Sequence, residues 1–341
     1  MQEPARNSGR RPGPFEAPRE SRYGSSSPDR GHLPAPGGPG NKTPMTPGPD
    51  ILCIGSVLWD VIGRAPSVMR LGSDVPGRIT RVPGGVAMNI AMTLRRFGLT
   101  PALLTAIGRD EEGTELLAAC RRMGLVTDHV YLSEDLPTDR YMAIEGANGL
   151  IAAVADAHSL EAAGDKILRP LADGRLGSMA APFAGPVALD GNLTEALLAD
   201  IAMSPLFAAA DLRVAPASPG KAERLLPLLT CAHATLYVNL EEAGLLAKSR
   251  FGSAPEAAEA LVARGAARVL VTDGGRTAAE AGPQGLRTAL PPEVLVTRVT
   301  GAGDTFMAAH IAAERRGVTG DAALAEALHA AADHVSGEVD A

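Results

Sequence analysis

Three small residues and an acid stand together in "VTRVTGAGDTFMAAHIAAE", residues 296–314. Gly301, Ala302 and Gly303 precede Asp304, and the apolar spacing that follows predicts a helix, with Val299 closing a strand before it. A helix N-terminus exposes backbone N–H groups and the positive end of the helix dipole, which attract an anion. Small side chains let that anion reach the backbone. A carboxylate at the same spot repels phosphate, so it serves binding alone poorly. It serves chemistry well if it takes a proton from a hydroxyl that attacks a phosphoryl group. On local grounds alone, Asp304 also reads as an ordinary first-turn acid after a Gly-rich turn.

The elements that must position these residues are legible from Asp50 onward. "ILCIGS", "PALLTAIG", "PVALDGN", "LRVAPAS", "ATLYVN" and "RVLVTDG" are short apolar runs, most ending in Gly, Asn, Asp or Ser. Helix-like stretches separate them, among them "NIAMTLRRFG" ending at Gly98 and "EEGTELLAACRRMG" ending at Gly124. The alternation predicts an α/β fold, a mostly parallel sheet with helices on both faces. Ligands gather at the C-terminal strand ends of such sheets. "GRITRVP" and "DRYMAIEGANGLIAAVA" break the pattern and predict a small antiparallel sheet beside the main one.

The chain has 341 residues, is 45% hydrophobic and only 3% aromatic, so its core must be mostly Ala, Leu and Val. A formal net charge of -7 argues against a general nucleic-acid binder but leaves small anionic ligands open. Cys53, Cys120 and Cys231 are too few and scattered for a disulfide framework and read as buried thiols of a cytoplasmic protein. No apolar run approaches the roughly 18 residues of a membrane span. Arg10-Arg11 lacks the apolar stretch of an export signal, so no export is expected. Residues 1–48, rich in Pro, Gly, Ser and Arg, are expected to be a disordered tail, with Met45 an alternative start. "IGSVLWD" lacks the Gly-x-Gly-x-x-Gly turn that a dinucleotide-binding oxidoreductase needs.

"VTGAGDTFMAAHIA" resembles the C-terminal signature of the ribokinase-like (PfkB) carbohydrate and nucleoside kinases, and "GGVAMNIAMTLRRFGLTPALLTAIG", residues 84–108, resembles their N-terminal signature. The resemblance implies one ribokinase-like kinase domain over 49–341, with lid strands near 74–83 and 139–155. It implies that Asp304 is the catalytic base and that Gly301, Ala302 and Gly303 form an anion hole. It assigns Asn239 and Glu242 of "NLEE" to phosphate and Mg2+, although locally that motif is a common helix cap. Asp60, closing "IGSVLWD", would grip sugar hydroxyls, with Leu58 where many members have Asn. Gly84, Gly85 and Asn89 match the sugar-binding turn, where Val86 replaces a frequent Lys and makes a less polar wall. On local grounds they also read as a Gly turn with an Asn cap. Thr272 and Gly274 of "VTDGGRT" are implied nucleotide contacts. His329 falls where the family often meets adenine, and on its Ala-rich helix it reads equally as a bystander. The end at Ala341 puts the family's monovalent-cation site in question.

Within the family, "PGRITRVPGGVAMNIAMTLRRFG" followed by "DRYMAIEGANGLIAAVADAHSLE" looks most like the pseudouridine kinases, and Asp156 would be their lid acid. The implied reaction is ATP plus pseudouridine giving pseudouridine 5'-phosphate plus ADP. A ribokinase, purine nucleoside or keto-sugar kinase remains an alternative. So does a non-catalytic nucleoside-binding regulator, although such a protein has no use for Asp304. The implied partners are ATP and a small nucleoside or sugar, with neither nucleic acid nor membrane. Lids of this family often pair between subunits, so a homodimer is expected.

Overall fold

The computed structural model describes residues 48–70 and 72–337. The expectations for the N-terminal tail, Met45 and Ala341 therefore lie outside the described residues, Gly48 excepted. Strands and helices alternate along the chain. β1 (Ile51–Ile54), β2 (Leu58–Arg64) and β3 (Arg78–Gly84) precede α1 (Val86–Arg96). β4 (Pro101–Leu104) and β5 (Ala106–Gly108) lead to α2 (Glu111–Arg122), followed by β6 (Tyr131–Ser133), β7 (Arg140–Gly146) and β8 (Gly149–Asp156). Two short helices, α3 (His158–Ala163) and α4 (Arg169–Ala172), precede β9 (Pro186–Asp190) and α5 (Glu195–Met203). β10 (Asp211–Ala215), α6 (Leu226–Leu229), β11 (Ala234–Asn239), α7 (Leu240–Ala247) and α8 (Ala254–Ala263) come next. β12 (Arg268–Thr272), β13 (Ala278–Gly282), β14 (Gly285–Ala289), α9 (Ala302–Arg315) and α10 (Asp321–Ser336) complete the described order.

The main sheet has eight strands in the order β4-β1-β9-β10-β11-β12-β13-β14. The first six run parallel, and β13 and β14 add an antiparallel hairpin at the edge. All four residues of β1 are buried, as expected for a parallel strand covered on both faces. Strand alternation sends Leu52 and Ile54 into one core and Ile51 and Cys53 into the other. α5, α7 and α8 fill the first core, and α1, α2, α9 and α10 the second. The expected α/β sheet covered by helices on both faces is thus the observed fold.

Beside it stands a four-stranded sheet in the order β3-β2-β7-β8. Its register puts Asp60, Tyr141 and Ala155 side by side on one face, and Trp59, Arg140 and Asp156 on neighbouring positions of the other. Trp59 anchors this sheet to α2, donating from Nε1 to the Glu112 carbonyl at 3.0 Å while the Arg81 guanidinium lies 4.3 Å over its ring.

Two sequence expectations fail. "PALLTAIG" is not one strand: it breaks at Thr105, and β5 leaves the main sheet to pair in parallel with β6. Residues 290–300 form no strand, so Val299 ends an irregular segment. Pro291 and Pro292 lack the N–H donors a ladder needs. Further on, the N–H groups of Thr297 and Arg298 donate instead to the Val335 carbonyl near the end of α10, at 2.7 and 3.2 Å.

Candidate active site

A cavity of about 800 Å³ opens over the C-terminal ends of β1, β9, β10, β11 and β12. α9 aims its N-terminus into it. Gly301 caps that helix in the left-handed region, φ 83°, which a Cβ disfavours. The Thr305 N–H donates to the Gly301 carbonyl and the Ala302 N–H to that of Val299. Among the described residues, the N–H groups of Gly303 and Asp304 have no backbone acceptor. They are the orphan donors of a helix start, beside a cleft.

Asp304 lines the same cavity, half-buried, and accepts a hydrogen bond from Asn89 Nδ2 at 2.9 Å. Burial pushes its carboxyl up to about 7, against the lowering pull of Asn89 and aided by the nearby carboxylates of Asp190, Glu242 and Asp60. A carboxylate held there is a competent proton acceptor near neutral pH.

Asp60 faces the cavity from β2, where burial raises its carboxyl to about 6. Gly84 lies beneath it, and a Cβ at that position would overlap the carboxylate. Gly85 has φ 98°, and a Cβ there would come 2.5 Å from the Ser56 carbonyl oxygen. Gly84 is therefore dictated by close approach, and Gly85 by close approach and by conformation. Leu58, Val86 and Tyr141 give this end of the cleft an apolar wall.

Asn239 and Glu242 form a reciprocal capping box at the start of α7. Asn239 Oδ1 accepts from the Glu242 N–H at 2.9 Å, and Glu242 Oε2 accepts from the Asn239 N–H at 2.8 Å. Both also line the cavity, with Thr272 and Gly274 at the end of β12. Burial raises the Glu242 carboxyl above its ordinary value. Among the described residues no cluster of three or more His, Cys, Asp or Glu could hold a metal. One carboxylate oxygen left over at Glu242 suits Mg2+, which keeps most of its waters and leans on phosphate oxygens.

Two expected residues lie elsewhere. Asp156 is exposed, its carboxylate accepting from His158 Nδ1 at 3.0 Å, and the cleft is lined instead by its neighbours Ala155 and Ala157. Strand alternation turns it away from Asp60. His329 lines a separate groove with Phe97, its Nδ1 2.8 Å from the Ala325 carbonyl, because Ala327 and Leu328 take the inward positions of α10.

Four residues that the sequence reading passed over complete the site. Asp190, fully buried at the end of β9, accepts five hydrogen bonds: from the Ser56 N–H and Oγ, the Ala87 N–H, and the Asn192 N–H and Nδ2. Ser56 Oγ in turn accepts from the Val86 N–H at 2.9 Å. This hub clamps the β1 loop to the start of α1, one turn before Asn89. Lys221 joins it through Asn192 Oδ1 at 2.6 Å. "PVALDGN" was the available signal, read only as a strand with turn residues behind it.

The sequence pattern of the pfkB family of carbohydrate kinases matches residues 49–337. Pseudouridine kinase of Escherichia coli is 32% identical over 94 residues, 28% of this chain and 30% of that protein. The chain thus spans under a third of that relative's length. Fructoselysine 6-kinase of Shigella flexneri is 28% identical over 277 residues, 73% of this chain and 88% of that protein. Ribokinase from Thermotoga maritima superposes with a TM-score of 0.69 at 19% identity, over 84% of this chain and 93% of that one, a likeness of fold.

Proposed function

The chain belongs to the pfkB family of carbohydrate kinases, and on that premise we propose that it moves the terminal phosphoryl group of ATP to a hydroxyl of a nucleoside or sugar, pseudouridine first. The observation that carries this is the Asp304 carboxyl, held near neutrality beside orphan N–H groups in a cleft shared with Asp60.

The acceptor's 5'-hydroxyl attacks the terminal phosphorus. A new O–P bond forms as the bond to ADP's bridging oxygen breaks, and the hydroxyl proton passes to Asp304. Gly303 and Asp304 N–H groups meet the charge on the transferring group, with Gly301 and Ala302 giving it room. Asp60 takes vicinal hydroxyls of the ribose with its two oxygens. Asn89 spans Asp304 and the acceptor. Thr272 and Gly274 border the nucleotide, and Asn239 stands toward its phosphates. Mg2+, held through Glu242, neutralises phosphate charge when bound with the nucleotide. The β2, β3, β7 and β8 sheet covers the acceptor and limits hydrolysis by water.

Pseudouridine is favoured by the local likeness to two pseudouridine kinases and by the apolar side chains of Leu58 and Val86 with the Tyr141 ring lining the cleft, which suit a base. A second acceptor, a keto-sugar bearing an amine, is favoured by the longer match to fructoselysine 6-kinase. Ile79, Met142 and Val154 are exposed on the lid face turned from the cleft, which supports pairing of two lids in a homodimer. The three cysteines, free and buried, suit a reducing cytoplasm.

The test is ADP release across a panel of nucleosides and keto-sugars, with wild type and Asp304→Asn. Turnover is expected with pseudouridine and is expected to fall by orders of magnitude in the variant, with nucleoside binding retained. Equal turnover in both proteins refutes the mechanism. Tight nucleoside binding without turnover on any acceptor favours a regulator instead.

A further inference from the structure

We propose that Lys221 is the phosphate-recognising cation of the cleft, contacting the phosphoryl group in transit between nucleotide and acceptor. The proposal deepens the kinase reading and rests on it. A charge problem leads to it. The cavity is lined by five carboxylates, Asp60, Glu241, Glu242, Asp273 and Asp304. Among the described lining residues Lys221 is the single cationic side chain. A polyanionic nucleotide entering this cleft meets strong like charge, and backbone N–H groups and one shared metal site leave its terminal phosphate in need of a fixed counter-charge.

The fold puts Lys221 at the right place. It sits in the helical turn Pro219–Leu225 that follows β10. Asn192, its partner, follows β9. In the sheet these two strands separate β1, whose end leads into β2 and Asp60, from β11 and β12, whose ends carry Asn239 and Thr272. The ammonium group thus stands between the acceptor side and the nucleotide side.

Its geometry is also prepared. Asn192 Nδ2 donates to Ser56 Oγ and Asp190 Oδ1, both at 2.9 Å, which turns the amide oxygen toward Lys221. That oxygen takes one of the three ammonium donors at 2.6 Å and fixes a long, otherwise floppy side chain. Lys221 is half-buried, and among the described residues its other two ammonium donors have no partner, which suits an anion with several oxygens. A lysine serving only to brace the Asn192 loop would need neither the cleft position nor the spare donors.

The experiment compares binding of AMP and of a non-hydrolysable ATP analogue to the full chain by calorimetry, for wild type, Lys221→Met, Lys221→Gln and Lys221→Arg. Removing a charged hydrogen bond to phosphate is expected to weaken the analogue by on the order of 10- to 100-fold in the Met and Gln variants. AMP binding is expected to stay within about twofold, since AMP lacks the contacted group. The Arg variant is expected to recover most of the loss. In kinetics, kcat falls while the acceptor KM changes little. Lys221→Gln can keep a bond to Asn192 without the charge, so analogue binding at wild-type strength there overturns the proposal, as does equal loss of AMP and analogue in every variant. A wild type that releases no ADP with any acceptor of the panel and binds no analogue overturns the kinase reading itself, which the variants' contrast leaves distinguishable.

Discussion

Replacing Asn89 by Leu removes the one side-chain donor to Asp304 among the described residues while nearly preserving shape. Asn89 Nδ2 lies 2.9 Å from Asp304 Oδ2 and pulls against the burial that raises this carboxyl to about 7. A hydrogen bond to an ionised group is worth about 1.5–3 kcal/mol, and about 1.4 kcal/mol corresponds to one pH unit. Its loss should therefore lift the carboxyl to about 8–9. The assay is the pH profile of kcat/KM, followed by ADP release, because that ratio reports groups of the free enzyme. In the wild type the rate should fall below about 7, as the base takes up a proton. In Asn89→Leu the same limb should move up by one to two units. A second limb near 6 from Asp60 should stay where it is, since burial alone sets it. A uniformly slower variant with an unmoved limb would show that Asn89 does not tune the base. A wild type with no limb near neutrality would remove Asp304 from that role.

Three further outcomes follow from the same geometry. Asp304→Asn should be more stable than wild type above pH 7. An acid raised from 3.8 to about 7 binds its proton more tightly when folded, so wild-type stability falls as pH rises across that window. The gap represents about 4 kcal/mol, reduced to about 2 by cleft water, and thermal melts at pH 8 and pH 4 should show a gain at the first only. Gly301→Ala forces a Cβ into φ 83° and to 3.2 Å from His334 Nε2. A cost of about 1–2 kcal/mol and a shift of the first turn of α9 should lower kcat about tenfold with acceptor binding kept, and an unchanged kcat would refute the strain argument. Asp190→Asn places a donor against N–H and O–H donors inside a fully buried hub. Urea unfolding should show a loss of about 3 kcal/mol, and a loss under about 1 would mean the hub carries little.

What was legible in the sequence is what a short stretch of chain must satisfy by itself. Gly301 before Asp304 states a left-handed cap and a first-turn acid within a few residues. β1 and β9 to β12 declare themselves because buried parallel strands are apolar on both faces. Asp156 and His329 lie outside the cleft for reasons of register and phase that the sequence does not show. The lid hairpin could be read as two strands, but only its pairing with β2 decides that Ala155, not Asp156, shares a face with Asp60. The Ala-rich run of α10 offers no sharp apolar stripe, so the side on which His329 sits could not be fixed from composition.

The Asp190 hub was unreadable for a different reason. Its partners Ser56 and Ala87 lie 134 and 103 positions away, and each belongs to a stretch that already had an adequate local explanation. "LDGN" makes a good turn after a strand, "GSV" a good strand end, and "GGVAMN" a good helix start. Only when parallel order brings β9 beside β1 do these turns become donors around one carboxylate. The clamp sets where α1 begins, and one turn of α1 sets where Asn89 meets Asp304. The same clamp orients Asn192 toward Lys221. One buried acid with no part in chemistry thus fixes both the donor to the base and the cation that lines the same cleft. Relaxing it should loosen proton transfer and phosphate binding together, whereas changing Asn89 or Lys221 alone should disturb one of them.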